Sequence, residues 1–242
     1  MDNRRFITDQ SARGSRVFIT GDELHHLKTV NRAKCGTEIE VIDGKGSHYT
    51  GKVQSLDIHE AVVEISSQET REKPTVQITI APSLIKKKAM GVLVEKLSEI
   101  GVDEIRPVIF GHTDEKYSPQ LLKKWQRIAL QALKVNNKLW PTEIYPPVPL
   151  EQLIENTRGS ATKILLHVDG DRGTIPVICQ EGGNVVSIIG PPGDFLAEEK
   201  TLLKQNGFIE INLNNGILKT ETAAISIAAI LTYFVPGGRL ES

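Results

Sequence analysis

The sequence has 242 residues, of which 39% are hydrophobic and 24% are charged, and its formal net charge is −1. This size and composition are typical of a soluble globular protein with one large domain or two small ones, and the near-zero net charge argues against a chain that binds a polyanion over its whole surface. The amino terminus lacks an apolar signal segment, and the longest apolar stretch is too short for a bilayer span. We therefore expect a cytoplasmic protein that does not enter the membrane.

The two cysteines, Cys35 and Cys179, lie far apart and form no metal-binding spacing. They predict neither a disulfide framework nor a metal site, and we expect both to be reduced and structural. The distribution of charge is more informative. Residues 1–34 carry seven Lys or Arg against four acids, and residues 116–142 carry six and no acid. Basic patches on a nearly neutral chain indicate a local anionic partner.

The first 70 residues predict a small β-rich domain. Their strands are "SRVFIT", "TEIEVID", "SHYTGKVQSL" and "HEAVVEIS", and "DGKGS" has the glycine-rich chemistry of a hairpin turn. One helix is predicted over residues 22–33. The polar segment "SSQETREKP", residues 66–74, ends in proline and is predicted to be a linker.

After residue 74 the pattern changes to alternating strands and helices. Residues 87–100 and 119–135 each carry one apolar stripe at helical spacing, and Gly101 favours the end of the first helix. The predicted strand "TVQITIAP" precedes the first helix, and "EIRPVIF" lies between the two helices. The predicted strands "KILLHVD", "VVSIIG" and "FIEINL" follow the second helix and are near-continuous apolar runs. Such near-continuous apolar runs are typical of strands covered on both faces, so we predict an α/β domain with a parallel sheet.

The carboxyl ends of three strands are the best places for a binding site, because ligands of parallel sheets bind where strand-to-helix loops gather. These ends are "LHVDG", "GPPGDF" and "NLNNGILKTET". In the second, Gly190 and Gly193 flank two prolines, so the loop is stiff and lets backbone approach a ligand closely. A tight turn without a ligand would also account for this loop.

The third loop places polar side chains directly before an apolar helix. Thr220 or Thr222 could cap that helix, and Glu221 would suit the positive end of its dipole. Capping alone needs fewer polar residues, so a ligand is the second interpretation.

Three segments together resemble one known family. "IIGPPGDFLAEE" resembles a loop of the form IGPEGG followed by an aromatic residue, "LNNGILKTETAAISIAAI" resembles LGxxILRxETA, and "VEKLSEIGVDEIRPV" resembles xxKxxELGVxxIxP. These motifs occur in the bacterial 16S ribosomal RNA uridine-N3 methyltransferases. The resemblance covers essentially the whole chain.

The resemblance implies a PUA-like RNA-binding β-barrel domain over residues 1–70 and a SPOUT methyltransferase domain over residues 74–242. It also implies a carboxyl-terminal trefoil knot, a homodimer, S-adenosyl-L-methionine as the methyl donor, and 16S ribosomal RNA or the small ribosomal subunit as the partner. General topology rules argue against knots, so the knot is an expectation from the resemblance alone.

The resemblance further assigns the donor site to the three loops. The implied donor-binding residues are Leu165, Leu166, His167, Ile189, Gly190, Pro191, Gly193, Leu213, Ile217, Leu218, Thr220 and Thr222. The implied catalytic residues are Lys219, whose cation could stabilise negative charge on the uracil oxygens, and Glu221 as a proton acceptor. Compensation of the helix dipole is the alternative role for Glu221.

Contacts with RNA are expected from basic side chains, because they neutralise phosphates largely independently of base sequence. The candidates are Arg4, Arg5, Arg16, Lys28, Arg32, Lys34, Lys86, Lys87 and Lys88. For the three consecutive lysines, a solvated helix end is the alternative interpretation. Lys123, Lys124, Arg127 and Lys134 are expected to face solvent or a partner.

The chain departs from the family pattern at several positions. Pro192 replaces Glu, Asp194 replaces the second Gly of the pair, Asn214 replaces Gly, and Lys219 replaces Arg. "LQALKVNNKLWP" also lacks the polar EQsxR motif before its proline. Because Arg and Lys differ at bidentate sites, two further hypotheses stay open: methylation of another RNA base, and an RNA-binding or assembly protein without catalysis.

Overall fold

The computed structural model describes residues 4–172, 183–214 and 216–235, so Cys179 lies outside the described residues. Contacts divide the chain into two units. The first comprises Met1–Lys73 together with Leu130–Pro141, and the second comprises Pro74–Ala129 and Thr142–Ser242. No helix in the described residues is long and apolar enough to cross a membrane.

The first unit is a five-stranded sheet with one helix. In chain order its elements are β1 (Arg5–Ile7), β2 (Arg16–Thr20), α1 (Gly21–Thr29), β3 (Glu38–Ile42), β4 (Ser47–Leu56) and β5 (Glu60–Thr70). The sheet order is β1-β3-β4-β5-β2, and only the β1–β3 pair is parallel. The edges β1 and β2 are joined by the Thr8 hydroxyl, which donates to the Phe18 carbonyl at 2.7 Å. Alternating residues of these strands bury one apolar core.

The four strands and the hairpin turn predicted for this unit are confirmed, with three corrections. The predicted linker begins too early, because Ser66–Thr70 extend β5 and pair with β4. Helix α1 ends at Thr29 because the chain turns away soon after, with Arg32 in a left-handed conformation at φ 48°. Cys35 is exposed, so it does not serve the core as expected.

The segment Leu130–Pro141, which includes the last three residues of the helix that begins at Pro119, belongs to the first unit, although the sequence placed it within the second domain. Its Leu133 and Leu139 are buried against Ile7 and Ile42, which accounts for this assignment. Lys134 donates to Glu23 at 2.6 Å, and both side chains are nearly buried. The expectation that Lys134 faces solvent or a partner is therefore wrong.

The second unit is built on a six-stranded sheet whose strand pairs are all parallel. Its elements are β6 (Ile78–Pro82), α2 (Lys87–Ile100), β7 (Glu104–Ile105), β8 (Val108–Ile109), α3 (Pro119–Ala132), β9 (Glu143–Ile144), β10 (Val148–Pro149), α4 (Leu150–Asn156), β11 (Thr162–Asp171), β12 (Val185–Ile189), α5 (Ala197–Gln205), β13 (Ile209–Ile211) and α6 (Thr220–Phe234). The large sheet has the order β13-β11-β12-β6-β7-β9, and β8 pairs with β10 separately.

The parallel sheet and both long helices of this unit are confirmed, although α3 ends at Ala132, three residues before its predicted end. Helix α2 spans the predicted residues and ends at Gly101, which is left-handed at φ 89°. "EIRPVIF" is not one strand but two, β7 and β8, in different sheets. Pro107 lies between them and has no N–H for a continuous ladder. Helices α4 and α5 and the strands β9 and β10 were not predicted, since they are short.

The topology brings three loops to one end of the sheet. Strand β12 lies between β11 and β6, and β13 lies outside β11 at the edge. From β13 the chain returns to the sheet centre, where α6 packs against α2, β6 and β12. Because the strands are parallel, the carboxyl ends of β11, β12 and β13 all lie on the side of the sheet from which α6 starts.

Candidate donor-binding site

A cavity of about 690 Å³ lies at the carboxyl ends of these strands. Residues 166–168, 189–195 and 211–214 line it, together with residues 216–221. The amino-terminal end of α2 completes the wall with Ile85, Lys86 and Ala89. The structure thus brings together the three loops that the sequence singled out, at a volume suited to a small-molecule ligand.

The first loop follows β11 and contributes Leu166 and His167. Leu165 lies fully buried in the core on the other face of the sheet, among Val186, Ile188 and Phe195, so it does not line the cavity. Strand side chains alternate between the two faces, and for this reason only one of the two neighbouring leucines can reach the site.

The second loop is a tight turn held by its own backbone. Asp194 N–H donates to the Pro191 carbonyl at 3.1 Å, and both Gly193 and Asp194 have positive φ, 149° and 70°. The Phe195 ring covers Gly190 so closely that a Cβ at this glycine would lie 2.6 Å from the ring. Gly190 is therefore required for close packing, and the prolines stiffen the rest of the turn.

The third loop ends in the first turn of α6. Thr220 is buried, and its hydroxyl donates to the Gly190 carbonyl at 2.9 Å, which ties this loop to the second. The helix cap position is Lys219, and no side chain caps it. Capping by Thr220 or Thr222 is thus wrong. Thr222 is exposed and does not line the cavity.

Several cavity side chains lack partners within the described part of the chain. Ile217 is 90% exposed although it is aliphatic. Lys86, Lys219 and Glu221 line the cavity, and none of them has an ion pair or a side-chain hydrogen bond there. A ligand could therefore engage these groups without first breaking a native contact.

His167 is the most constrained polar group of the wall. Its side chain is only 5% exposed, and its Nε2 lies 3.1 Å from Oδ2 of Asp194. Lys200 of α5 lies 3.2 Å from the same nitrogen. Partial burial works to raise the pKa of Asp194, but the hydrogen bonds from His167 and from the Phe195 N–H outweigh it and hold that pKa below its ordinary value. Asp194 is thus ionised at neutral pH.

The predicted RNA-contacting residues fall into different environments. In the second unit Lys86, Lys87 and Lys88 are exposed at the start of α2, and Lys86 also lines the cavity. In the first unit Arg4, Arg16, Arg32 and Lys34 are exposed. Lys28 donates to the Asp57 carbonyl at 2.9 Å. Arg5 is largely buried and pairs with Glu40 at 2.8 Å, which gives it a structural role.

Sequence reasoning missed several residues of the cavity wall. These are Ile85, Ala89, Val168, Pro192, Asp194, Phe195, Ile211, Asn212, Asn214, Gly216 and Ala223. Most of them adjoin predicted residues in the same loops. Asp194 had a signal of its own, since it departs from the family pattern at a position that favours glycine. No group of three or more His, Cys, Asp or Glu in the described residues could hold a metal ion.

The fold agrees with comparisons to known proteins. The profile of the RNA methyltransferase domain matches residues 71–232, and that of the RNA methyltransferase PUA domain matches residues 19–66. The chain belongs to this family of RNA methyltransferases with an amino-terminal PUA domain.

The individual relatives span nearly the full chain. A ribosomal RNA small subunit methyltransferase E of Aquifex aeolicus is 30% identical over 228 residues, which are 93% of this chain and 97% of the relative. The enzyme of the same name from Buchnera aphidicola is 27% identical, over 96% and 93% of the two chains. The crystal structure of a ribosomal RNA small subunit methyltransferase E from Neisseria gonorrhoeae, bound to S-adenosyl methionine, has a TM-score of 0.85. It is 24% identical and covers 97% of this chain and 98% of its own, so it supports the fold.

Proposed function

We propose that this protein transfers a methyl group from S-adenosyl-L-methionine to N3 of a uridine in small-subunit (16S) ribosomal RNA. The observation that carries the proposal is the single cavity formed by the ends of β11, β12 and β13 and by the start of α6. Membership of the RNA methyltransferase family and the names of the relatives support the reaction and the substrate.

The cavity fits the proposed donor in size and chemistry. Its apolar wall, which includes Leu166, Ile189, Leu213 and Leu218, suits a nucleoside ring system. A bound ligand would bury the exposed Ile217 side chain. In this proposal the donor contacts are made by Leu166, His167, Ile189, Gly190, Pro191, Gly193, Leu213, Ile217, Leu218 and Thr220.

S-adenosyl-L-methionine, when bound, supplies an activated methyl group on a positively charged sulfur. The protein has to position the uridine and favour loss of its N3 proton. We assign Lys219 to stabilise the negative charge that develops on the uracil oxygens, because its cation lines the cavity and has no partner among the described residues. Glu221 is the carboxylate we assign to accept the N3 proton, since the other lining carboxylate, Asp194, is already engaged by His167.

We further propose a role for each domain, a trefoil knot and a homodimer. Residues 1–70 form the RNA-binding domain and residues 74–242 the catalytic domain, whose final crossing from β13 to α6 closes a trefoil knot. Two chains form a homodimer; the exposed Val92, Tyr233 and Phe234 on the paired helices α2 and α6 support this. RNA is held by the exposed basic side chains, and a ribosomal RNA substrate implies a cytoplasmic protein.

Two measurements test the proposed function. Calorimetry with S-adenosyl-L-methionine should give binding heat with one donor per chain. Nucleoside mass spectrometry of 16S ribosomal RNA from cells lacking the protein should show loss of 3-methyluridine, restored by the wild-type gene. Unchanged 3-methyluridine together with loss of another methylated base would mean that the protein methylates that other base. Absence of donor binding would exclude a methyltransferase and favour an RNA-binding protein.

A further inference from the structure

We propose that Asp194 is a positioning residue of the donor cavity, which holds the His167 ring in one tautomer and one orientation as part of the wall. The inference rests on the proposed function of that cavity. It concerns a residue that departs from the glycine of the family loop.

The backbone conformation of Asp194 indicates that its side chain makes a contact that offsets the strain. Asp194 has a φ of 70°, a conformation that glycine adopts without strain and that costs other residues free energy. The same turn contains Gly193, which already has positive φ. A side chain at this strained position requires a compensating contact, and its carboxylate makes two. Oδ1 accepts from the Phe195 N–H at 2.8 Å, and Oδ2 lies 3.1 Å from His167.

The hydrogen bonds around the ring assign its tautomer. The Asp169 backbone N–H donates to Nδ1 of His167 at 3.2 Å, so Nδ1 is an acceptor in the neutral ring. The proton then resides on Nε2, which donates it to the Asp194 carboxylate. The Asp169 N–H at Nδ1 and the Asp194 carboxylate at Nε2 together favour this Nε2–H tautomer, and Asp194 supplies the acceptor, as carboxylates do for histidines in other functional sites.

The charged neighbours of this pair come from three elements. Lys200 of α5 lies 3.2 Å from Nε2 and 3.3 Å from Nδ1 of the ring. Asp169, in β11, lies 3.4 Å from Nδ1 through its carboxylate. Glu210 of β13 reaches Lys200 at 3.4 Å from the other side. Only Asp194 among the acids of this cluster also lines the cavity, so it is the one that joins the charged cluster to the donor site.

The ring orientation matters because the ring is an element of the wall. His167 is nearly buried and packs against Phe195 at a centroid distance of 6.4 Å. Phe195 in turn covers Gly190. Asp194 therefore joins the first loop to the second, as the Thr220 hydroxyl joins the third loop to the second. Without it the ring loses its contact with the second loop and is held less firmly in one orientation, so the cavity is less well preformed.

The test compares Asp194→Gly with Asp194→Asn, because together these variants separate the effect of the backbone conformation from the effect of the side-chain contact with His167. Glycine relieves the left-handed backbone but removes the anchor. We expect the melting temperature without donor not to fall, while the Kd for S-adenosyl-L-methionine rises about tenfold, as for one lost charge-assisted hydrogen bond. Asparagine tolerates the same backbone and keeps an acceptor for Nε2–H, so its Kd should stay within about threefold of wild type.

Two further readouts separate positioning from a merely structural role. Nitrogen NMR of histidine-labelled, donor-free protein should show His167 as the Nε2–H tautomer in wild type and Asp194→Asn, and a tautomer mixture in Asp194→Gly. In a His167→Phe background, Asp194→Gly should change the Kd by less than twofold, since the anchored group is gone.

The outcomes are distinguishable. Wild-type binding with an unchanged Kd for Asp194→Gly overturns the positioning role alone, and so does a rise in Kd that accompanies a lower melting temperature. A wild-type protein that gives no heat with the donor overturns the proposed function, and the positioning role with it.

Discussion

The two halves of the six-stranded sheet differ in where their charged side chains lie: one half pairs them in a nearly buried network, and the other places several of them in the wall of a cavity. In the β7–β9 half, the nearly buried Glu104 accepts hydrogen bonds from Thr79, Arg106 and Tyr145, and Arg106 also stacks on the Tyr145 ring at 3.6 Å. The cavity beside Arg106 and Tyr145 has only about 160 Å³. In the β11–β12–β13 half, the chain opens a cavity of about 690 Å³, with charged side chains in its wall.

The difference shows that a perturbed pKa alone does not identify a functional site. The pKa of Tyr145 is raised far above its ordinary value by burial, by its hydrogen bond to Glu143 and by the negative charge of Glu104. Yet its one hydroxyl proton is shared between these two carboxylates, at 2.8 Å from Glu143 and 3.2 Å from Glu104, which is typical of a structural network. The half that carries the candidate site is distinguished instead by its cavity together with two charged side chains, Lys219 and Glu221, that lack partners in the described residues.

The strongest test of this contrast is Glu104→Gln. Loss of the carboxylate leaves the Arg106 cation largely buried without its partner, so we expect a loss of about 3 kcal/mol in the free energy of unfolding. Donor affinity, measured by calorimetry, should not change. Glu95→Gln is the matched control, because Glu95 pairs with Lys96 at the exposed surface, and its effect should stay within about 0.5 kcal/mol. Weaker donor binding in Glu104→Gln would mean that the two halves are coupled.

Lys219→Ala should reduce catalysis, whereas Glu104→Gln should reduce stability. We expect turnover to fall about a hundredfold, equivalent to about 2.7 kcal/mol of transition-state stabilisation, with the Kd for the donor nearly unchanged. Single-turnover methylation of ribosomal RNA provides the rate. Lys219→Arg, the family residue, is the control and should keep most of the activity. An unchanged rate in Lys219→Ala would remove this lysine from the mechanism.

Gly190→Ala tests the packing between the loops. The added Cβ would meet the Phe195 ring at 2.6 Å, so the ring and the loop must shift. Overpacking of this kind costs about 2 kcal/mol, so we expect the Kd for the donor to rise roughly thirtyfold. Gly159→Ala adds the same methyl group where no atom lies within 4 Å, and it should bind the donor as wild type does. Equal affinities for the two variants would contradict the tight-packing argument.

The smallest effect is expected for Glu210→Gln and depends on pH. Partial burial works to raise the pKa of Glu210, but the hydrogen bond from Lys204 at 2.8 Å and the nearby Lys200 lower it. A lowered pKa means that ionised Glu210 stabilises the fold above its ordinary pKa and that this contribution is lost as pH falls. Urea unfolding should therefore separate wild type from Glu210→Gln by about 0.5 kcal/mol at pH 7 and not at about pH 3. A difference that persists in acid would contradict the charge argument.

Much of the cavity half could be predicted, because β11 and β12 lie in near-continuous apolar runs and the loop after β12 carries glycine and proline. The β7–β9 half was harder. Strands of two residues, such as β7 and β9, carry no periodic signal, and the network around Glu104 joins positions 79, 104 and 145. The capping role of Thr220 was predicted wrongly for a similar reason. Its actual partner, Gly190, lies 30 residues earlier, and only the packed sheet brings the two together.

The sequence by itself determined the alternation of strands and helices, the long helix that Gly101 ends, and the three loops that carry the family motifs. These features depend on local periodicity and turn chemistry, which neighbouring residues specify. Only the tertiary structure decided which side of β11 faces the cavity, that Leu130–Pro141 packs with the first unit, and that Asp194 meets His167. Such pairings depend on strand order and on contacts between distant residues, which local pattern does not encode.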